Sequence, residues 1–125
     1  MEAFPYNTVG FIAYENARGE RNYSTGFLIT SCLILTAANP TLVRDEKDGS
    51  ICDYRPTYFL LGQGVRIRIY EIVDFRRPAE YTEIITSENA QDYVHSSIKT
   101  RRSNLIKAES YDFCLLKLRE NIAQN

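Results

Sequence analysis

One histidine, His95, and three dispersed cysteines cannot make the compact Cys and His cluster that a structural zinc ion requires, and none of the cysteines shows Cys-x-x-Cys spacing. No metal and no other cofactor is therefore expected. The cysteines Cys32, Cys52 and Cys114 are odd in number. A Cys32 to Cys52 bridge stays open, although three buried thiols are the expected state in a chain without an export signal. Excess charge of either sign is also lacking. Fifteen Lys plus Arg against sixteen Asp plus Glu leave a net charge of -1, so no global field draws the chain toward nucleic acid, anionic lipid or an acidic substrate. No stretch approaches the roughly 18 consecutive apolar residues of a membrane-spanning helix. The opening "MEAFPYNTVGFIAY" has neither the basic leader nor the apolar core of a secretory signal, so a cytoplasmic location is the default expectation, with no membrane partner. Repeats, low-complexity tracts and linkers are missing too. The one Gly-rich stretch, "GQG" at 62–64, reads as a tight turn, because no helix start and lysine follow it as phosphate binding requires.

What is present is strand signal. With 125 residues and 44% hydrophobic content, the chain can fill one core, and residues 1–125 are read as a single domain. Residues 7–14, "NTVGFIAY", and 23–30, "YSTGFLIT", flank a polar turn stretch containing Gly19 and read as a hairpin. "CLILTAA", 32–38, is a continuous apolar run suited to a strand buried on both faces. The stretch 40–56 carries Pro40, Gly49, Pro56 and five successive charges from Arg44 to Asp48, which predicts a surface loop. Two more strands follow, 57–62 and 65–75. In the second, Val65, Ile67, Ile69, Val73 and Phe75 alternate with Arg66, Arg68 and Asp74, which predicts a half-buried strand with the apolar set inward. A last strand is expected at 111–118, "YDFCLLKL". Between the last two strands lies a polar insertion, 76–110. There Ala90, Val94 and Ile98 are spaced four apart, which predicts one short amphipathic helix. About six strands with hairpin spacing point to an all-β barrel or sandwich. Its expected core includes Phe27, Ile29, Leu33, Leu35, Leu60, Ile67, Ile69, Leu115 and Leu116.

Two motifs in order, "STGFLIT…LILTAAN" and "YDFCLLKL", resemble the trypsin-like serine peptidases, and within them the glutamyl-endopeptidase-like branch. There a Gly-Phe-Leu-Ile strand leads into one that ends Thr-Ala-Ala-His, and an Asp-headed apolar strand carries the triad aspartate. The resemblance covers roughly residues 7–75 and 111–120. It implies a six-stranded antiparallel Greek-key barrel, equivalent to the N-terminal barrel of that fold, with the second barrel absent. By the same resemblance Asp112 holds the place of the triad aspartate, and Asn39 stands where the family has its catalytic histidine.

That exchange matters chemically. The base of the triad must accept a proton near neutral pH, which imidazole does with its pKa of about 6.5 and an amide does not. The Asn39 amide can still donate to the Asp112 carboxylate and keep that acceptor satisfied. His95 lies in the insertion, outside any family motif, and reads as a solvated helix residue. The nucleophile's Gly-Asp-Ser-Gly loop is missing from these 125 residues, and the oxyanion hole with it. The sequence therefore reads as an inactive serine-peptidase homologue, with no intact catalytic site. The alternative, from a different class, is a protein-binding or scaffold module on a β-barrel. The basic pairs at 66–68, 76–77 and 99–102 are read as solvated faces, so no nucleic-acid partner is expected. A protein partner or self-association through an exposed face around Asn39 and Asp112 is expected instead.

Overall fold

A computed structural model describes residues 8–122. The expected strand at 7–14 begins one residue before that range. Six strands close a barrel: β1 (Val9–Glu15), β2 (Arg21–Leu28), β3 (Leu33–Thr36), β6 (Arg55–Gln63), β7 (Arg66–Arg76) and β8 (Cys114–Leu118). All pairings are antiparallel, in the order β1-β2-β3-β8-β7-β6, with β6 closing back on β1. The barrel neighbour of β3 is thus β8, the last strand among the described residues, which is the Greek-key crossing. The antiparallel Greek-key barrel read from the sequence is the one observed.

The stretch 40–56 is not the loop expected. After a 3-10 turn at Asn39–Thr41, β4 (Leu42–Arg44) and β5 (Ile51–Asp53) pair as a separate two-stranded ribbon. Its charge run folds on itself: Asp45 Oδ1 accepts from Lys47 N at 2.7 Å, and Asp48 Oδ1 from Ser50 N at 2.9 Å. Short acidic side chains favour turns by such local bonds. Gly49 completes the turn at φ 72°, and a Cβ there would meet Ala90 O at 2.5 Å, so both backbone and packing call for glycine.

The insertion holds three helices rather than one: α1 (Ala79–Thr86), α2 (Ala90–His95) and α3 (Ile98–Glu109). The apolar spacing of Ala90, Val94 and Ile98 spans a break between two of them, and Ile98 is exposed. Two serines make the break. Ser96 Oγ donates to Tyr93 O at 2.7 Å, while Ser97 Oγ accepts from Thr100 N at 3.1 Å as the N-cap of α3.

The core is the opposite face of nearly every strand from the one expected. Buried residues include Ile12, Tyr14, Ile34, Phe59, Leu61, Tyr70, Ile72, Leu116 and Leu118. Of the expected core, Leu116 is fully buried. Leu33, Leu35, Leu60 and Leu115 are half-buried, and Phe27, Ile29, Ile67 and Ile69 are exposed. The reason is visible at Gly10 and Gly26, which pair across β1 and β2 on the inward face. A Cβ on Gly26 would meet Ile12 Cδ1 at 2.5 Å, and one on Gly10 would lie 2.7 Å from the Phe59 ring. The narrow interior alternates small and large residues, so the glycines mark the inside. In β7 the first four residues are all exposed, and Val65 just before them is fully so, because the β6–β7 hairpin overhangs the barrel. Burial begins at Tyr70. A register shift between Ile72 and Asp74 then changes which face points inward, so Phe75 packs against the core although Tyr70 and Ile72 do as well.

Candidate functional site

The β3–β8 ladder builds the site. It pairs Leu35 with Leu115 and Thr36 with Cys114, and the same antiparallel register carried two residues further sets Ala38 opposite Asp112. Asp112 itself lies in the turn between α3 and β8, where its N–H donates to Glu109 O at 3.2 Å. Asn39 opens the 3-10 turn, locked from below by Thr41, whose hydroxyl donates to Ala38 O at 2.6 Å.

The carboxylate of Asp112 receives three N–H groups. Ala38 N and Asn39 N both donate to Oδ1 at 2.8 Å, and Asn39 Nδ2 donates to Oδ2 at 3.0 Å. Residues 73 positions apart are thus joined by two bonds. Tyr81, on α1, is buried beside this group, and its phenol is pushed up to about 12, first by burial and then by the negative charge of Asp112, against a lowering by Arg77. Arg77 is tied in place by Thr82 Oγ1 at 2.8 Å and Thr41 Oγ1 at 3.0 Å. Cys114, fully buried two residues beyond Asp112, has its thiol raised to about 11, mainly by burial.

These two acids predict an alkaline weakness. Each is held neutral by the fold, with a folded-state pKa above its ordinary value of 9.0 for Cys114 and 10.0 for Tyr81. The stability these two groups contribute is therefore fully present below pH 9, and it falls as pH rises from 9 to about 11 for the thiol and from 10 to about 12 for the phenol. Urea midpoints measured from pH 7 to 11 are expected to be flat and then to drop above about 9, with part of the drop absent in Cys114→Ser. A midpoint unchanged up to pH 11 would contradict the burial of both groups.

The other residues singled out by sequence do not converge on Asp112. His95 is exposed at the C-terminal end of α2, and no interaction among the described residues links it to the carboxylate. The basic pairs are dispersed. Arg66 and Arg68 lie on the overhanging hairpin, Arg77 serves the threonines above, and Arg101 is built into the insertion. The cysteines are free, Cys32 and Cys52 half-buried.

Sequence reading missed a second feature, a hollow of about 430 Å³ between the β4–β5 ribbon and the helical insertion, with Asn39 at its margin. Arg44 spans this space. Its guanidinium donates to Gly49 O, to Ile85 O at 2.7 Å and to Glu88 O at 3.0 Å, and stacks over the Tyr93 ring at 4.4 Å. Arg101 stacks over the same ring at 4.3 Å. Arg44 heads the charge run, and that position hid its inward role. A smaller hollow of about 340 Å³ lies beside Asp112 and is lined by Asn39, Tyr81, Leu105 and Ile106.

The barrel with Asp112 at the entry to its last strand is that of the trypsin-like serine peptidase fold. A solved structure of GrC, granzyme C, a trypsin-like serine protease, matches it with a TM-score of 0.56 at 18% identity, over 100% of this chain and 42% of that one. The chain thus spans less than half the length of that structure, and the likeness fits the N-terminal barrel of the fold. No protein family and no curated protein sequence matches the chain.

Proposed function

We propose that this chain is an inactive homologue of the trypsin-like serine peptidases, of the glutamyl-endopeptidase-like branch, in which Asn39 occupies the place of the catalytic histidine and Asp112 that of the triad aspartate. The observation that carries this reading is the Asn39 Nδ2 to Asp112 Oδ2 bond of 3.0 Å, reinforced by two backbone donors on the same carboxylate. In a working triad, the aspartate orients the base and stabilises its protonated form. An amide in that place takes the bond without the proton. On this reading residues 1–125 are one domain, equivalent to the N-terminal barrel. Within them there is neither a Gly-Asp-Ser-Gly nucleophile loop nor the oxyanion hole that accompanies it.

The experiment is labelling with a fluorophosphonate probe, together with an assay of glutamyl peptide hydrolysis, on the wild-type chain and on Asn39→His. No specific serine should be labelled, and the restored histidine alone should give no hydrolysis above background, because nucleophile and oxyanion donors are missing as well. Labelling of one serine that disappears on its mutation would overturn the proposal.

The same face is our proposed contact for a partner protein or a second copy. Leu105, Ile106 and Phe113 are exposed around Asp112 at 62%, 69% and 46%. Clustered apolar exposure of this kind marks an interaction surface. Sedimentation of the same preparation over a concentration series should show association, weakened by Ile106→Glu; a monomer at every concentration, with no partner effect of that substitution, would remove this part of the reading.

A further inference from the structure

The β6–β7 hairpin bears an apolar surface that turns outward. Val65 at its tip is fully exposed, and Ile67 and Ile69 are exposed at 72% and 63%. Strand register joins them to the outer wall of the barrel. Ile69 lies opposite Leu60, which lies opposite Phe11, and one row nearer the tip Val9 lies opposite Phe27. Phe11, Val9 and Phe27 are exposed as well. One row further from the tip, Tyr23 and Tyr58 flank Ala13, and both are exposed. Since β3 runs from this end of the barrel toward Asn39, the surface lies away from the Asn39 and Asp112 pair.

Charge on this surface has one sign. Arg66 and Arg68 alternate with the apolar side chains of the hairpin, both are exposed, and none of the ion pairs among the described residues involves either of them. Residues 8–14, 21–44 and 54–70 contain no acidic residue, and Glu71, next along β7, is already paired with Arg119 at 2.9 Å. A docked protein covers one face of a strand, yet residues 66–69 are exposed on both. A second copy meeting the same patch would bring the unpaired arginines of both chains together with no carboxylate to answer them. A bilayer instead surrounds a projecting tip on every side. Aliphatic side chains enter its acyl boundary, arginines reach back to lipid phosphates, and tyrosines rest at headgroup level. We propose that this end of the barrel docks on an anionic lipid bilayer, with Val65 and Ile67 inserted and Arg66 and Arg68 on the phosphates. The step from Val65 to the Ile67 row is about 7 Å, within the roughly 5–10 Å that interfacial segments bury. Although no helix among the described residues is long and apolar enough to cross a membrane, docking on its surface requires none.

Vesicle co-sedimentation tests the docking. The chain should sediment with phosphatidylcholine vesicles containing about 30% phosphatidylserine and stay in solution with phosphatidylcholine alone. The double variant Arg66→Gln, Arg68→Gln should weaken binding by about 10-fold or more, since each arginine at an anionic surface is worth about 5-fold. Val65→Asp with Ile67→Asp should abolish it, with thermal unfolding confirming that the barrel is intact. The chain has no tryptophan, so Val65→Trp places one indole at the tip, and its emission should shift to shorter wavelength on the anionic vesicles. Ile106→Glu, beside Asp112, should leave vesicle binding unchanged, which separates this docking from the contact proposed at that face. No sedimentation with anionic vesicles, equal binding to neutral ones, full binding by the folded Asp variant, or an unshifted indole would each overturn the proposal. Self-association that is lost in Val65→Asp with Ile67→Asp, without vesicle binding, would overturn it too and assign the surface to a second copy.

Discussion

Asp112→Ala is expected to lower the stability of the barrel by about 3 kcal/mol, with a fall in Tm of about 10 °C. The carboxylate is the acceptor for Ala38 N and Asn39 N, both at 2.8 Å, and Ala38 is fully buried. Removing it strands a buried backbone donor, which costs the desolvation of that group as well as the lost bond. Asn39 is exposed, so water can replace its side-chain bond. The order of effects distinguishes these contributions. Asp112→Asn keeps an oxygen for the two backbone donors and should cost about 1 kcal/mol, and Asn39→Ala should cost no more than that. Thermal and urea unfolding of the three variants measure the order. If Asn39→Ala proved as damaging as Asp112→Ala, the side-chain pair and not the backbone donors would be holding the turn.

Removal of Arg44 should have a comparable effect by another route. Its guanidinium holds the turn of its own ribbon through Gly49 O and bridges to the insertion through two carbonyls, of Ile85 and Glu88, and the Tyr93 ring, and no carboxylate pairs with it among the described residues. Arg44→Ala is expected to cost about 3 kcal/mol from charge-assisted bonds and the lost cation-π contact. Most of that loss should be local. α1 and α3 contact each other, and the insertion reaches the ribbon through the bonds of this residue, through those of Arg101 and Tyr93 to Glu46, and through the close packing of Ala90 on Gly49. Limited proteolysis should therefore open the link around Glu88 while the barrel stays folded, with hydrogen exchange rising across 79–109. Lysine offers a point charge in place of a fork and cannot serve three separated carbonyls, so Arg44→Lys should recover less than half of the loss. An unchanged cleavage pattern in Arg44→Ala would show that the insertion is held by packing alone.

The inverted core shows where sequence reading met its limit. The apolar run through Cys32 to Ala38 has no alternation to read, since Leu33, Ile34 and Leu35 are all hydrophobic. Parity in such a strand is a property of its neighbours. In β7 the alternation was real but misleading, because Ile67 and Ile69 lie on a hairpin that projects past the barrel, where neither face is covered. The usable signal was Gly10 and Gly26, the two positions in β1 and β2 where the inward side has no room for a Cβ. Arg44 was hidden for a related reason. A guanidinium in a run of charges reads as solvated until its carbonyl partners, 41 and 44 positions away, are in place.

By itself the sequence determined the six strands of the barrel, the barrel class, and the approach of Asn39 to Asp112. These follow from local propensity and from two motifs whose strands pair in a fixed register. Tertiary structure alone decided which face of each strand turned inward, how the insertion broke into three helices, and that a hollow lies between insertion and ribbon. Those outcomes depend on contacts across dozens of residues and on how space is filled in a closed barrel, for which a linear pattern carries no record.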